Sequence, residues 1–457
     1  MTTQTASLEI DILPVVALVG RANVGKSSLF NVLTHSRAAL VADQPGVTRD
    51  RQYANCTLRE KQFLLVDTGG LEDKPVEGSL IASMAKQSWQ AIKEAALILF
   101  IVDARAGLTS ADMELAARLR KMNRKLILVI NKIDGLKQTE EKINDFYSLG
   151  FSEIIPISAA HKWGIRDLEE VILENLSNDF KQIANEVKEE AIKFAIVGRP
   201  NVGKSTIVNC LLGQERVVVF NQPGTTRDSI FIPFTQANQD YVIIDTAGLR
   251  RRSRVDEAVE KFSVVKTLQA IKAADVVIAV LDAHEGITDQ DLHILGLALD
   301  TWRSLIIVIN KWDQLTENQK QRVNDMVDLK LSFVRYAKIL YVSALKGSGI
   351  KALLPWVRKM YHNAHCKVNT AKMTQLLQEA LARHAPPLSK GRRIKLRYAH
   401  LGGHSPITIV IHGTQATALP QTYQRYLADY FRQALALIGT PIRLELKNSV
   451  NPYNNLS

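Results

Sequence analysis

Residues 20–27, Gly-Arg-Ala-Asn-Val-Gly-Lys-Ser, return at residues 198–205 as Gly-Arg-Pro-Asn-Val-Gly-Lys-Ser. Both copies fit the spacing G-x-x-x-x-G-K-[ST], in which backbone N–H groups surround nucleotide phosphates and the lysine reaches the outer ones. Each copy follows an apolar run and precedes a helical pattern, so the sequence predicts a strand–loop–helix unit twice. We therefore expect the chain to bind nucleotide at two sites.

Four further motifs repeat in the same order along the chain. Their paired first residues are Pro45 and Pro223, Asp67 and Asp245, Asn131 and Asn310, and Ser158 and Ser343. The offset is 178 residues for the loops and the first two pairs, 179 for the third and 185 for the last. A tandem duplication explains this register. It predicts α/β domains at 13–176 and 193–359, a linker at 177–192 and a further domain at 360–457.

The composition is that of a soluble protein with ordinary cores, 46% hydrophobic and 23% charged. Three scattered cysteines show no metal-binding spacing and fit a reducing compartment. The apolar stretch 12–20 has no basic segment before it, which favours a first strand over a signal peptide. No apolar run reaches membrane-spanning length. These features predict a cytoplasmic protein without a membrane span.

The positive charge is concentrated near the end of the chain. Residues 360–457 hold twelve Lys or Arg and three Asp or Glu, which is +9 of the net +12. A basic module joined to nearly neutral domains suggests an anionic macromolecular partner. The alternative is a basic face that is merely solvated.

The phosphate half of each repeat carries oxygen ligands for a magnesium ion. Lys26 and Lys204 are expected on the β- and γ-phosphates. A serine hydroxyl, a loop threonine and a carboxylate at a strand end suit Mg²⁺, which prefers oxygen, and the threonine would close over the γ-phosphate. The predicted magnesium ligands are Ser27, Thr48 and Asp67 in the first repeat and Ser205, Thr226 and Asp245 in the second.

The Asn-Lys-x-Asp motifs indicate which base is bound. Guanine presents N1–H and N2–H₂ side by side, and one carboxylate accepts both hydrogen bonds. Adenine has no such pair of donors, so Asp134 and Asp313 are expected to select guanine. Asn131 and Asn310 would contact the base and the loop, the lysine stems would cover the ring, and the Ser-Ala pairs would supply a backbone N–H.

The predicted GTP-binding residues therefore form two parallel sets. The first is Gly20, Arg21, Ala22, Asn23, Val24, Gly25, Lys26, Ser27, Asp67, Thr68, Gly69, Gly70, Leu71, Asn131, Lys132, Ile133, Asp134, Ser158 and Ala159. The second is Gly198, Arg199, Pro200, Asn201, Val202, Gly203, Lys204, Ser205, Asp245, Thr246, Ala247, Gly248, Leu249, Asn310, Lys311, Trp312, Asp313, Ser343 and Ala344.

With these motifs in order, twice, the chain resembles the family of double Era-like GTPases called Der or EngA. The loops, the Pro-Gly-x-Thr-Arg-Asp segments and the stretches 390–400, 439–443 and 451–453 carry the resemblance, from about residue 13 to the end. It implies two tandem P-loop GTPase domains, with mostly parallel sheets flanked by helices, and a C-terminal α+β KH-like domain. It also implies a monomeric bacterial factor that binds GTP or GDP with Mg²⁺. Such a factor assists maturation of the large ribosomal subunit and acts on rRNA rather than DNA.

The residue that orients the attacking water is not evident. Many GTPases use a glutamine directly after D-x-x-G, where this chain has Leu71 and Leu249. In related GTPases the loop asparagine, here Asn23 and Asn201, holds a K⁺ ion beside the phosphates. The alternative is that both asparagines only cap the loop. Either way we expect slow intrinsic hydrolysis, accelerated by K⁺ or by the ribosome.

Two features distinguish the repeats. The first loop has Ala22 where the second has Pro200 and where the family usually has proline, which leaves the first loop freer without removing a phosphate contact. The second repeat alone carries a basic run, Arg250-Arg-Arg-Ser-Arg254. This run is expected to contact rRNA or the neighbouring domain, with a solvated loop as the alternative.

The C-terminal segment reads as helix, strand, strand, helix, strand, at 373–382, 393–400, 406–412, 423–437 and 442–447. This order resembles a KH domain, but no two of its glycines are three residues apart. The G-x-x-G loop with which KH domains clamp RNA is therefore missing. The candidate RNA or docking residues are Arg392, Arg393, Lys395 and Arg397, beside Tyr398.

Two other functions fit parts of the sequence. One is a GTPase fused to tRNA-modification chemistry, but no catalytic cysteine or cofactor fingerprint lies outside the GTPase repeats. The other is a scaffold with inactive nucleotide sites, which complete motif sets in both repeats disfavour. The expected function is a GTP-switched ribosome assembly factor.

Overall fold

The computed structural model describes residues 8–11, 13–34, 53–59, 61–68, 88–122, 124–133, 139–176, 181–184, 191–213, 217–219, 231–245, 264–389, 392–404 and 406–448. The chain divides into two compact units. One contains residues 9–184 with 263–269, and the other contains residues 1–8, 185–262 and 270–457.

The first repeat alternates strands and helices from its first described residues. Its strands are β1 (Leu8–Asp11), β2 (Val15–Val19), β3 (Tyr53–Leu58), β4 (Lys61–Asp67), β5 (Leu97–Asp103), β6 (Lys125–Asn131), β7 (Ile154–Pro156) and β8 (Lys181–Ala184). Its helices are α1 (Lys26–Thr34), α2 (Ser110–Arg120), α3 (Thr139–Tyr147) and α4 (Ile165–Asn175).

Six of these strands form one sheet in the order β3-β4-β2-β5-β6-β7. Only β3 runs antiparallel to its neighbour, and the other pairs are parallel. Every residue of β2 and β5 is buried, as expected of central parallel strands covered on both faces. The carboxyl ends of β2, β4, β5 and β6 consequently meet at one edge of the sheet.

The second repeat has the same plan with one extra strand. Its elements are β9 (Ile192–Val197), α5 (Lys204–Leu212), β10 (Val217–Val219), β11 (Phe231–Gln236), β12 (Gln239–Asp245), α6 (Val264–Ala273), β13 (Val276–Asp282), α7 (Asp289–Asp300), β14 (Ser304–Asn310), α8 (Glu317–Lys330), β15 (Lys338–Tyr341) and α9 (Leu353–Ala364). The sheet order is β10-β11-β12-β9-β13-β14-β15. The pairs from β12 to β15 are parallel, and β10 and β11 are antiparallel to their neighbours.

The C-terminal segment folds in the predicted order, preceded by a small hairpin. It comprises α10 (Thr370–Arg383), β16 (Leu388–Ser389), β17 (Arg392–Arg393), β18 (Lys395–His404), β19 (Ile407–Thr414), α11 (Gln421–Ala434) and β20 (Ile442–Asn448). The three long strands form a sheet in the order β18-β19-β20. One face of this sheet packs on the apolar sides of α10 and α11.

The C-terminal segment is bonded to the second repeat through backbone groups. The N–H of Leu305, in β14, donates to the carbonyl of Gly439 at 2.8 Å, and the N–H of Gly439 donates to the carbonyl of Tyr336 at 2.8 Å. Gly439 has φ +74, and a Cβ there would lie 2.1 Å from the Cε of Met360. A glycine is therefore required at this junction.

Two findings refine the sequence-based predictions. Within the predicted linker 177–192, residues 181–184 form a strand that pairs with β1. Within the described ranges, no helix combines the length and the apolar character needed to cross a membrane.

Candidate nucleotide-binding sites

Each loop wraps around the ammonium group of its own lysine. Lys26 begins α1, and its Nζ donates to the carbonyls of Gly20 at 2.9 Å and Arg21 at 2.7 Å. In the second repeat Lys204 begins α5, and its Nζ donates to the carbonyls of Gly198 and Arg199 at 3.1 and 2.6 Å. Both lysines are buried, which holds each loop in a closed turn at a helix N-terminus, where anions are favoured.

The asparagine of Asn-Lys-x-Asp ties the loop to the Ser-Ala segment. The amide nitrogen of Asn131 donates to the carbonyl of Val24 at 2.9 Å, and its oxygen accepts from the N–H of Ala159 at 3.0 Å. Asn310 makes the same two bonds, to Val202 at 2.8 Å and from Ala344 at 2.9 Å. Three segments distant in sequence are thus held together at the carboxyl edge of each sheet.

This cross-link explains the second glycine of each loop. Gly25 has φ +97, and a Cβ there would lie 2.2 Å from the Asn131 amide nitrogen. Gly203 has φ +96, and its Cβ would lie 2.2 Å from the Asn310 amide nitrogen. Only glycine allows both this backbone conformation and the close approach of the asparagine.

Two predicted magnesium ligands are in contact in the first site. The hydroxyl of Ser27 donates to Asp67 Oδ2 at 3.0 Å, at the ends of α1 and β4 that face the loop. A hydroxyl and a carboxylate converging at a phosphate-binding loop fit the oxygen preference of Mg²⁺. Ser27 and Asp67 would hold the ion there, beside the nucleotide phosphates.

The lysine of Asn-Lys-x-Asp spans the opening of each site. Lys132 donates to the carbonyl of Asn23 and to Asp103 Oδ2, both at 2.7 Å. Burial would raise the pKa of Asp103, but bonds from Lys132 and from backbone N–H groups outweigh it, so the pKa is lowered. Lys311 likewise donates to Asp282 Oδ2 at 2.5 Å. Both lysine stems are therefore fixed at the base end of the loop.

The guanine-selecting carboxylate is described in the second site. Asp313 Oδ2 lies 3.1 Å from the Nζ of Lys346, and the Asp313 side chain is mostly enclosed. The Ser343 hydroxyl, followed by Lys346, lowers the pKa of Asp313. The carboxylate is consequently ionised at neutral pH, as acceptance of two N–H donors requires.

Several predicted residues lie outside the described part of the chain. These are Thr48, Gly69, Gly70, Leu71, Asp134, Thr226, Thr246, Ala247, Gly248, Leu249 and the basic run 250–254. The backbone of Asp245 ends β12 and that of Arg392 lies in β17.

The loop asparagines have a backbone reason for their identity. Asn23 and Asn201 have φ 62 and 65, in the left-handed region that asparagine tolerates better than most residues. This conformation supports the loop-capping alternative. A K⁺ ligand role for their side chains stays a prediction.

The sequence interpretation missed four aspartates that fix the loops and lysines. Asp103 and Asp282 end β5 and β13, while Asp112 and Asp291 lie at the third position of α2 and α7, within capping boxes begun by threonines. Each pair is 179 residues apart, the offset of the Asn-Lys-x-Asp motifs. That shared offset was a signal in the sequence that could have identified them.

The C-terminal sheet presents a ring cluster on its open face. Tyr398 and His412 stack with ring centroids 4.5 Å apart, and His400 stacks on His412 at 5.3 Å. Tyr398 is 43% exposed. The predicted basic residues Arg393, Lys395 and Arg397 are exposed along β17 and β18. Exposed rings next to cations are features of surfaces that bind single-stranded nucleic acid.

Comparison with protein families agrees with this division of the chain. The family described as "50S ribosome-binding GTPase" matches residues 15–132 and again 193–311. A family described as the KH-domain-like C-terminal part of EngA bacterial GTPase enzymes matches residues 367–447.

Curated relatives extend over nearly the whole chain. "GTPase Der" of Legionella pneumophila (strain Lens) is 51% identical over 444 residues, which is 97% of this chain and 95% of the relative. "GTPase Der" of Psychrobacter sp. (strain PRwf-1) is 51% identical, over 96% of this chain and 92% of the relative. "GTPase Der" of Coxiella burnetii (strain Dugway 5J108-111) is also 51% identical, over 97% and 99%.

Proposed function

The chain belongs to the Der family of GTPases with two G domains, and from this membership we propose that it hydrolyses GTP at both sites and acts in large-subunit maturation. Family membership carries GTP or GDP binding with Mg²⁺. The proposal adds that the nucleotide switches binding of the protein to ribosomal RNA and ribosomal particles, in the cytoplasm and as a monomer.

One observation carries the proposal that both sites are active. Asn131 and Asn310 make the same pair of hydrogen bonds in their own domains, to the loop carbonyl and from the Ser-Ala N–H, within 0.1 Å of each other. A degenerate scaffold site would have no reason to keep a buried polar network intact, because a half-satisfied network costs stability. Two sites with the same internal bonds are expected to bind the same class of nucleotide.

The ribosomal part of the proposal rests on charge and family. The matching family is described as a 50S ribosome-binding GTPase, and residues 360–457 hold most of the net charge. Binding to phosphate through such residues releases counterions and needs no base-specific contacts. The ring cluster of the C-terminal sheet adds surfaces on which unpaired bases could stack.

Sedimentation with purified ribosomal subunits tests the proposal. The full chain would be centrifuged with large or small subunits in GDP, GTP or a non-hydrolysable GTP analogue. We expect association with the large subunit, and a clear difference between nucleotide states, because Thr48 and Thr226 lie in loops that the γ-phosphate would order. Equal sedimentation in all three nucleotides would contradict the nucleotide switch.

Hydrolysis should depend on K⁺. Leu71 and Leu249 cannot orient water, and Asn23 and Asn201 lie beside the lysines that mark the phosphate end of each loop. Replacing KCl by NaCl at constant ionic strength is expected to slow GTP turnover by about tenfold or more, since phosphoryl transfer depends on stabilising charge at the phosphates. Phosphate release would be measured under both salts. Equal rates would leave loop capping as the role of the asparagines.

Charge reversal at Arg392, Arg393, Lys395 and Arg397 should weaken association with the large subunit. Removing several phosphate contacts is expected to lower affinity by ~100-fold or more at physiological salt and to flatten its salt dependence. The control reverses Lys372 and Arg425, which are exposed on the two helices of the same domain. GTP binding should be unchanged in both proteins. Undiminished association of the first variant would mean that the G domains carry the docking.

A further inference from the structure

The arginine of the second loop is held by two carboxylates. Arg199 Nε donates to Asp291 Oδ1 at 2.8 Å, and a terminal nitrogen donates to Glu285 Oε2 at 2.6 Å. The Arg199 side chain is 11% exposed, and that of Asp291 is fully buried. Burial would lower the pKa of Arg199, but the two bonds outweigh it and the pKa is raised. Arg199 is thus fixed from the side of the loop that faces away from the Lys204 ammonium group.

The first loop lacks this arrangement at the equivalent positions. Arg21 Nε lies 3.5 Å from Asp112 Oδ1, and neither atom has a hydrogen-bond partner in the described part of the chain. The Arg21 side chain is 27% exposed. The offset of 179 that relates Asp112 to Asp291 places Ala106 opposite Glu285. The first domain therefore has no carboxylate where the second has one.

The difference affects the part of the loop that wraps the phosphates. The carbonyl of Arg199 is one of the two that bind the Lys204 ammonium group, so fixing the Arg199 side chain also fixes this turn. Pro200 restricts the next residue of the loop, where the first domain has Ala22. A loop that is already ordered loses less conformational freedom when nucleotide binds, and the affinity gains accordingly.

We propose that Glu285, acting through Arg199, is a positioning residue that makes the second site bind guanine nucleotide more tightly and release it more slowly than the first. The proposal rests on nucleotide binding at both sites and assigns the difference between them to one ion pair. Glu285 is 58% exposed in a loop, so replacing it disturbs no core.

The test reads each site separately in the full chain. Lys26→Ala silences the first site and Lys204→Ala the second, and dissociation of a fluorescent GDP analogue is followed by stopped flow. With the first site silenced, Glu285→Ala should speed GDP release roughly three- to tenfold, the range expected for one charge-assisted hydrogen bond. Glu285→Gln, which keeps an acceptor oxygen, should recover much of the loss. Asp289→Ala, the loss of an exposed carboxylate nearby, controls for net charge.

The reciprocal variant makes the test independent of damage to the second domain. With the second site silenced, Ala106→Glu should slow GDP release from the first site by a similar factor, because it supplies the missing partner of Arg21. The melting temperature of each variant would be measured alongside. Equal release rates at the two wild-type sites, or release from the second site unaffected by Glu285→Ala, would overturn the proposal. Absence of GDP binding at either site would instead refute the proposed function.

Discussion

Asp313→Asn should abolish GTP binding at the second site and create binding of xanthosine triphosphate there. The Asp313 carboxylate is held ionised by Ser343 and Lys346, and it would accept both N1–H and N2–H₂ of guanine. An asparagine offers one acceptor oxygen and turns an N–H₂ group toward a donor, so the loss should exceed about 100-fold. Xanthine, with an oxygen at position 2, can accept from the new amide.

Calorimetry on the full chain with Lys26→Ala would measure this change, because only the second site then contributes heat. The control is Asp328→Asn, which makes the same chemical change in an exposed residue of α8. Retention of tight GTP binding by the Asp313→Asn chain would show that another group selects the base.

Gly25→Ala should remove nucleotide binding from the first site. The added Cβ would lie 2.2 Å from the Asn131 amide nitrogen, and Asn131 is buried and bonded at both ends. Because Asn131 cannot move without breaking its bonds to Val24 and Ala159, the loop must shift away from the Ser-Ala segment. We expect GTP affinity at this site to fall by more than ~100-fold, in line with loss of a buried hydrogen-bond network.

The matched control separates steric conflict from backbone strain. Gly107 also has a positive φ, +70, but a Cβ there would meet nothing within 4 Å. Gly107→Ala should therefore cost only about 1–2 kcal/mol of unfolding free energy, with nucleotide affinity nearly unchanged. Both variants would be compared by calorimetry, with Lys204→Ala silencing the second site, and by thermal unfolding. Similar affinities in the two would contradict the role assigned to the Asn131 cross-link.

Much of the nucleotide site could be predicted because its chemistry is written in short motifs. Ser27 and Asp67 are 40 residues apart in the chain, yet each ends up at the carboxyl edge of a parallel sheet, and the structure brings them to 3.0 Å. Parallel strands give this result whatever the length of the connecting segments, since their carboxyl ends share one edge. The secondary structure of the KH-like domain followed in the same way from alternation and helical spacing.

The clamp on Arg199 could not be predicted from these rules. Glu285 lies 86 residues further along the chain in a loop, and only the order of β9 and β13 within the sheet brings it near. A single glutamate in a polar loop carries no periodic signal. Likewise, Lys181–Ala184 pairs with β1 although the surrounding stretch is polar, because backbone pairing does not require an apolar pattern.

The backbone bonds at Gly439 give the protein a timetable. A growing polypeptide leaves the translating ribosome from its amino end, and domains generally fold as they emerge. The first G domain is complete in sequence while more than half of the chain is still untranslated. The second cannot satisfy the Leu305 N–H or the Tyr336 carbonyl in the same way until Gly439, near the carboxyl end, has been added. The two nucleotide pockets of one molecule are consequently finished at different moments of its synthesis, the second only when translation is almost over.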